Sequence, residues 1–119
     1  MRPLAPFAVC LALCAACKDR ADAPPPAPVP AMSAAEIKRA QDACQSYVDK
    51  ACACAQTVPA MQSSCKLARA LPDAIQLDLA VSASAEAKRR DALWAQDSMR
   101  KIVKECIEGL ARLPAAGCP

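Results

Sequence analysis

Cysteine is the residue that most limits what this chain can become. Nine occur, at Cys10, Cys14, Cys17, Cys44, Cys52, Cys54, Cys65, Cys106 and Cys118, and there is no histidine. Cys14 and Cys17 have the CxxC spacing of a redox dithiol, so the first question is whether that stretch is chemistry or address. Met1-Arg2 opens the chain, and no residue from Pro3 to Ala16 is charged. About 14 such residues are too few to cross a bilayer core, which takes roughly 20 as a helix, and they have the build of an export signal. Ala15 and Ala16 then precede Cys17, and Lys18, Asp19 and Arg20 follow it at once.

Ala15-Ala16-Cys17 resembles the end of a bacterial lipoprotein signal: an aliphatic residue, two small residues and a cysteine that receives diacylglycerol before cleavage. Cys14 stands where leucine is usual. The resemblance implies a signal peptide over 1–16, a lipid on Cys17, and a membrane partner reached through the acyl anchor. It places the chain in the cell envelope, and Lys18, where inner-membrane retention would have Asp, points to the outer membrane, facing the periplasm or the exterior. Ordinary secretion with a cut after Ala21-Asp22-Ala23 competes, against Pro24 at the next position, and a cytoplasmic CxxC protein is the third reading. On the first reading Cys10 and Cys14 leave with the signal and the Cys17 thiol is acylated. Six cysteines then remain, an even number in an oxidising compartment, which predicts disulfides.

From Lys18 to Met32 the chain carries Pro24, Pro25, Pro26, Pro28 and Pro30 and little that packs, so 17–32 is expected to be a lipidated cysteine plus a proline-rich linker. As polyproline II it would reach about 45 Å. The helical domain is 33–119, 87 residues with Tyr47 and Trp94 as its aromatic side chains. A core that small and alanine-rich is marginal alone, and three bridges at about 2–4 kcal/mol each would supply much of its stability.

The hydrophobic period is helical throughout and predicts an all-α, disulfide-stapled bundle of three to four helices behind the Pro-rich tether. Ser33-Ala34-Ala35-Glu36 has the form of a capping box, and Ile37, Ala40, Cys44, Val48, Ala51 and Ala55 share one face, giving a helix from about Ala34 to Gln56. Thr57 to Pro59 is the break. The next helix carries Met61, Cys65, Ala68 and Leu71, and Pro72 should stop or kink it. A short segment with Ile75, Leu77, Leu79 and Val81 follows, then a junction at Ser82 to Ser84. The last helix, about Ala85 to Leu110, puts Ala92, Ala95, Met99, Ile102, Val103, Cys106 and Leu110 on one stripe. Gly109 and Gly117 are read as helix termination and a tail turn.

At 100° per residue Cys52 and Cys54 lie about 80° to either side of Cys44, so they should face different neighbours. Cys54 and Cys65 flank the break at similar height in an antiparallel pair, which makes Cys54–Cys65 the first-choice bridge. The others then pair as Cys44–Cys106 with Cys52–Cys118, or Cys44–Cys118 with Cys52–Cys106. Soft-metal capture by Cys52-Ala53-Cys54, or a redox-active pair there, is the sharper alternative.

Without histidine the usual general base and the Ser-His and Cys-His nucleophiles are missing, and with glycine only at 109 and 117 no phosphate loop can be written. Asp73, Asp78 and Asp97 are read as solvated carboxylates. No catalytic residue, cofactor or metal site is assigned, and the expectation is that the chain is not an enzyme. The net charge of +3 falls to +2 without Arg2, too mild for a nucleic-acid partner. Lys88-Arg89-Arg90 and Arg100-Lys101 with Lys104 are interleaved with acids, giving expected pairs Glu86–Arg90, Asp97–Lys101 and Lys104–Glu108.

Cys44-x-x-Tyr47, Cys52, a Trp94 in a basic helix and Cys106 resemble small helical lipoproteins of delta-proteobacteria, a likeness that implies no particular activity. The expected function is therefore a membrane-anchored envelope interaction or structural module without catalysis. The alternative is a thiol-dependent redox or soft-metal protein using Cys52 and Cys54. Leu93 and Trp94 fall off the last helix's apolar stripe, with Trp94 near Arg90, Asp97 and Lys101. Two readings follow: a partner surface formed by Leu93, Trp94, Arg90 and Lys101, or, slightly preferred, a Trp94 made core by a fourth helix over Asp73 to Val81.

Overall fold

The computed structural model describes residues 24–119; Cys10, Cys14 and Cys17, and with them the expected signal peptide and the expected lipid site, lie outside the described residues. The fold is all-α: helix α1 spans Ala34–Cys54, α2 Gln62–Ala83 and α3 Arg89–Arg112, with single 3₁₀ turns at Pro59–Met61 and Pro114–Ala116. Each helix packs on the other two, so the bundle has three helices and not four.

α1 starts where its sequence dictates. The Glu36 N–H donates to Ser33 Oγ (3.2 Å), and the Ser33 N–H donates back to the Glu36 carboxylate (2.9 Å), closing the capping box. The helix ends at Cys54, and Pro59 opens the turn into α2 with a φ already suited to it.

Of the two outcomes expected at Pro72, a stop or a kink, the stop does not occur: α2 runs through the proline. A proline inside a helix costs about 3 kcal/mol or more, because it lacks an N–H and crowds the preceding turn. Here Cys65 and Ala68 before it and Ile75 after it are all buried in the bundle, and packing on both sides holds the helix continuous. The segment Asp73 to Val81 is thus the second half of α2 and cannot fold over Trp94, which is 65% exposed. α3 begins at Arg89, four residues later than expected, which leaves Glu86 ahead of the helix.

The core has two clusters joined by Tyr47. Cys44, Ile75, Met99 and Cys106 form one, and Ala51, Cys54, Met61, Ala68, Leu113 and Cys118 the other, with Tyr47 packed against both. Gly109 is buried within α3 and not at its end; a β-carbon there would lie 2.5 Å from the Tyr47 ring. Gly117 does make the tail turn, with φ of 84°. The proline-rich linker is not all tether: buried Gln96 donates from Nε2 to the Pro30 carbonyl at 2.8 Å, and Met32 packs against the first cluster. Among the described residues, packing therefore reaches back to Pro30, inside the stretch expected to be linker.

Candidate functional site

All six cysteines from Cys44 onward are paired. The bridges are Cys44–Cys106, Cys52–Cys65 and Cys54–Cys118, with Cα separations of 4.9, 4.7 and 5.4 Å. Every bridge has one end in α1. Cys52 and Cys54 do face different neighbours, but the first-choice Cys54–Cys65 bridge is wrong. α2 packs on the Cys52 flank of α1, so Cys52 meets Cys65 one turn into α2 and the Cys52 Sγ lies 3.6 Å from the Cys65 carbonyl. Cys54 turns instead into the closed end of the bundle, beside Leu113 and the C-terminal Cys118. Of the two open pairings for Cys44, the structure has the one with Cys106, and Cys118 goes to Cys54 in place of Cys52 or Cys44.

Of the expected partner residues, Arg90, Trp94 and Lys101 lie within about 40° of one another on α3, and Leu93 stands apart from them. On α3 the outward pole carries Arg90, Asp97, Lys101 and Lys104, all exposed, with Lys101 bound to Asp97 at 2.7 Å and Lys104 to Glu108 at 3.7 Å. Glu86 precedes the helix, and Arg90 lies 3.8 Å from Asp91 instead. Leu93 and Trp94 are 100° apart and flank that pole on opposite sides. Leu93, 46% exposed, shares a flank with Arg100 and Ile107 toward α1. Trp94 shares its flank with Glu105 and Arg112 toward α2.

Two grooves accompany these flanks. Between α1 and α3, Met32, Ala40, Ala43, Met99, Val103 and Ile107 line a shallow cleft of about 350 Å³ rimmed by Glu36, Arg39 and Arg100. Between α2 and α3, a cleft of about 450 Å³ has Tyr47 at its floor and Leu67, Leu71 and Leu113 among its walls, with Glu105 and Arg112 at its rim. Arg112 Nη2 lies 2.9 Å from Glu105 Oε1, so the rim is internally neutralised.

Beside this second cleft lies a feature that the sequence analysis missed. Leu67, Ala70, Ala74, Leu77 and Val81 recur at steps of three and four along α2, a second stripe besides the buried one. Leu67 and Leu77 are 73% and 65% exposed. The heptad-like spacing was there to be found, but the expected break at Pro72 divided it. Asp78, expected on the solvated surface with Asp73 and Asp97, is buried, and its Oδ2 has no hydrogen-bond partner among the described residues. Among the described residues no group of three His, Cys, Asp or Glu stands close enough to hold a metal ion, and no helix is long and apolar enough to cross a membrane. The chain matches no protein-family model, no curated protein and no solved structure.

Proposed function

We propose that this chain is a lipid-anchored module of the bacterial cell envelope: an acyl chain on Cys17, a short proline-rich spacer, and a disulfide-stapled helical domain that binds or spaces other envelope components without catalysis. The observation that carries the reading is the pairing of all six cysteines beyond the lipobox-like stretch. Complete pairing in a small domain is the signature of an oxidising compartment. The lipid on Cys17 and the outer-membrane address rest on Ala15-Ala16-Cys17 and Lys18. The bridges serve as staples in this reading, because a Cys52/Cys54 dithiol would require two separate bridges to open at once.

The test is the N-terminal peptide of the protein purified from membranes of a producing bacterium, read by mass spectrometry. A diacylated or triacylated Cys17 is expected, and Cys17→Ser should move the protein to the soluble fraction with its helical circular dichroism unchanged. An unmodified terminus at Lys18 or Pro24 would sink the anchor. Thiol titration of the same sample should find no free thiol beyond position 17. Two thiols released together under mild reductant, with the fold retained, would favour the redox alternative.

A further inference from the structure

The exposed stripe on α2, the Trp94 flank of α3 and the Tyr47-floored cleft lie on one face of the molecule, and their spacing has a symmetry. α2 and α3 run antiparallel. At one end of this pair Leu67 and Leu71 share the cleft with Glu105 and Gly109, and at the other Leu79 and Ser82 line a pocket with Ala92 and Gln96. That register sets Trp94 level with Val81. Ala74 is seven residues from Val81 and seven from Leu67, so Trp94 and the cleft lie about 10 Å to either side of it along the helix.

We propose that this face is a self-association site, in which a second copy of the chain docks antiparallel across a twofold axis at Ala74 and each Trp94 enters the other copy's cleft. The rotation that brings Ala74 onto its mate carries the level of Val81 and Trp94 onto the level of Leu67 and the cleft. It also sets Leu77 of one copy against Ala70 of the other, large against small, and Leu67 against Val81. Alanine at 70 and 74 lets the two α2 backbones approach closely. A contact that meets these conditions is isologous and closes on itself as a dimer.

The chemistry of the cleft suits the occupant. Its lining is mostly apolar, with Ser64, Glu105 and Arg112 as polar members; its volume of about 450 Å³ admits an indole, and the Arg112 guanidinium at the rim can lie against the ring. Size sets the strength. The stripe is about 21 Å long, and two helix diameters of width give on the order of 400 Å² in projection. A standard interface uses about 800 Å² per partner. The dimer is accordingly weak and reversible, and the two tryptophan anchors dominate it, as buried aromatic residues do. This inference goes beyond the envelope reading and does not depend on acylation, so a Cys17→Ser chain should associate equally.

The experiment uses the full chain with benzoylphenylalanine in place of Trp94, irradiated in the producing cells and after purification. The expected product has twice the monomer mass, with the cross-link in the Leu67–Leu71 or Glu105–Leu113 region of the other copy. Within one chain these regions are too far along the bundle from position 94 to give that product. Sedimentation of the unlabelled full chain should show a dimer forming between about 10 µM and 1 mM, the range of a weak interface. Trp94→Ala or Leu67→Glu, both at exposed positions, should weaken it at least tenfold with helical content unchanged. A monomer throughout that range overturns the proposal. So does a cross-link to a different protein, or one that joins position 94 to the Val81 level of the second copy.

Discussion

A β-carbon on Gly109 would lie 2.5 Å from Cζ of Tyr47 and 2.6 Å from Cε2, and the ring is wedged between both core clusters. Glycine inside a helix costs about 1 kcal/mol relative to alanine, so Gly109→Ala should stabilise α3 if nothing else mattered. The ring has nowhere to go, and overpacking costs about 1–3 kcal/mol. Gly109→Ala is therefore expected to lower Tm by several degrees, and to raise it in a Tyr47→Leu background, with thermal denaturation of the four chains as the measurement. Gly109 was misread in the sequence because a glycine near the end of an apolar stripe looks like a terminator; its reason is a side chain on another helix. Asp78 was misread likewise. It stands three residues after Ile75 and seven after Leu71, a spacing that puts it on the buried face once α2 is read as continuous through Pro72.

At the scale of elements, local rules held where they were unopposed. The start of α1 was legible because a capping box is a matter of four consecutive residues. The Glu36 carboxyl lies below its ordinary value, chiefly because the Ser33 hydroxyl and then the Ser33 N–H donate to the charged form. A carboxyl depressed in the folded state contributes stability that is present above its unfolded value and lost as pH falls through its folded one. Glu36→Ala should thus lower Tm at neutral pH, with the gap closing as pH drops below the ordinary glutamate range of about 4.3, followed by circular dichroism melts in a pH series. The apolar faces of α1 and α3 were equally legible, since Ala40, Cys44 and Ala51, and Ala92, Ala95, Met99 and Cys106, are buried as their spacing required. α2 was not. A proline rule worth a few kcal/mol was outweighed by burial on both sides of Pro72, and the wrong break hid both the continuous helix and its exposed stripe.

For the whole molecule, α1 is the hub to which α2, α3 and the C-terminal tail are each tied by one bridge. Cys44–Cys106 closes 62 residues and Cys52–Cys65 closes 13, which restrict the unfolded chain by about 4 and about 3 kcal/mol. Cys44 and Cys106 are also fully buried. Replacing both by Ala should therefore destabilise the domain by more than replacing Cys52 and Cys65, by at least about 1 kcal/mol in urea denaturation. Equal losses would mean that core position adds nothing to the bridge. That six cysteines form three bridges was legible from their number and from the apolar faces they occupy. Which flank of α1 faces α2 was not, because period fixes what points inward and leaves the handedness of the bundle open, and that choice alone exchanged the partners of Cys52 and Cys54.

The connectivity also bears on how such a chain is made. In chain order the six cysteines pair first with fifth, second with fourth and third with sixth, so no bridge joins two that are neighbours in sequence. A polypeptide oxidised as it emerges, N-terminus leading, presents Cys44, Cys52 and Cys54 together before any native partner has appeared. The first bonds it can form among them are wrong ones. In a chain oxidised in that way, correct maturation waits on thiol–disulfide exchange, which takes minutes to hours uncatalysed, and the yield answers to the reshuffling capacity of the cell that produces it.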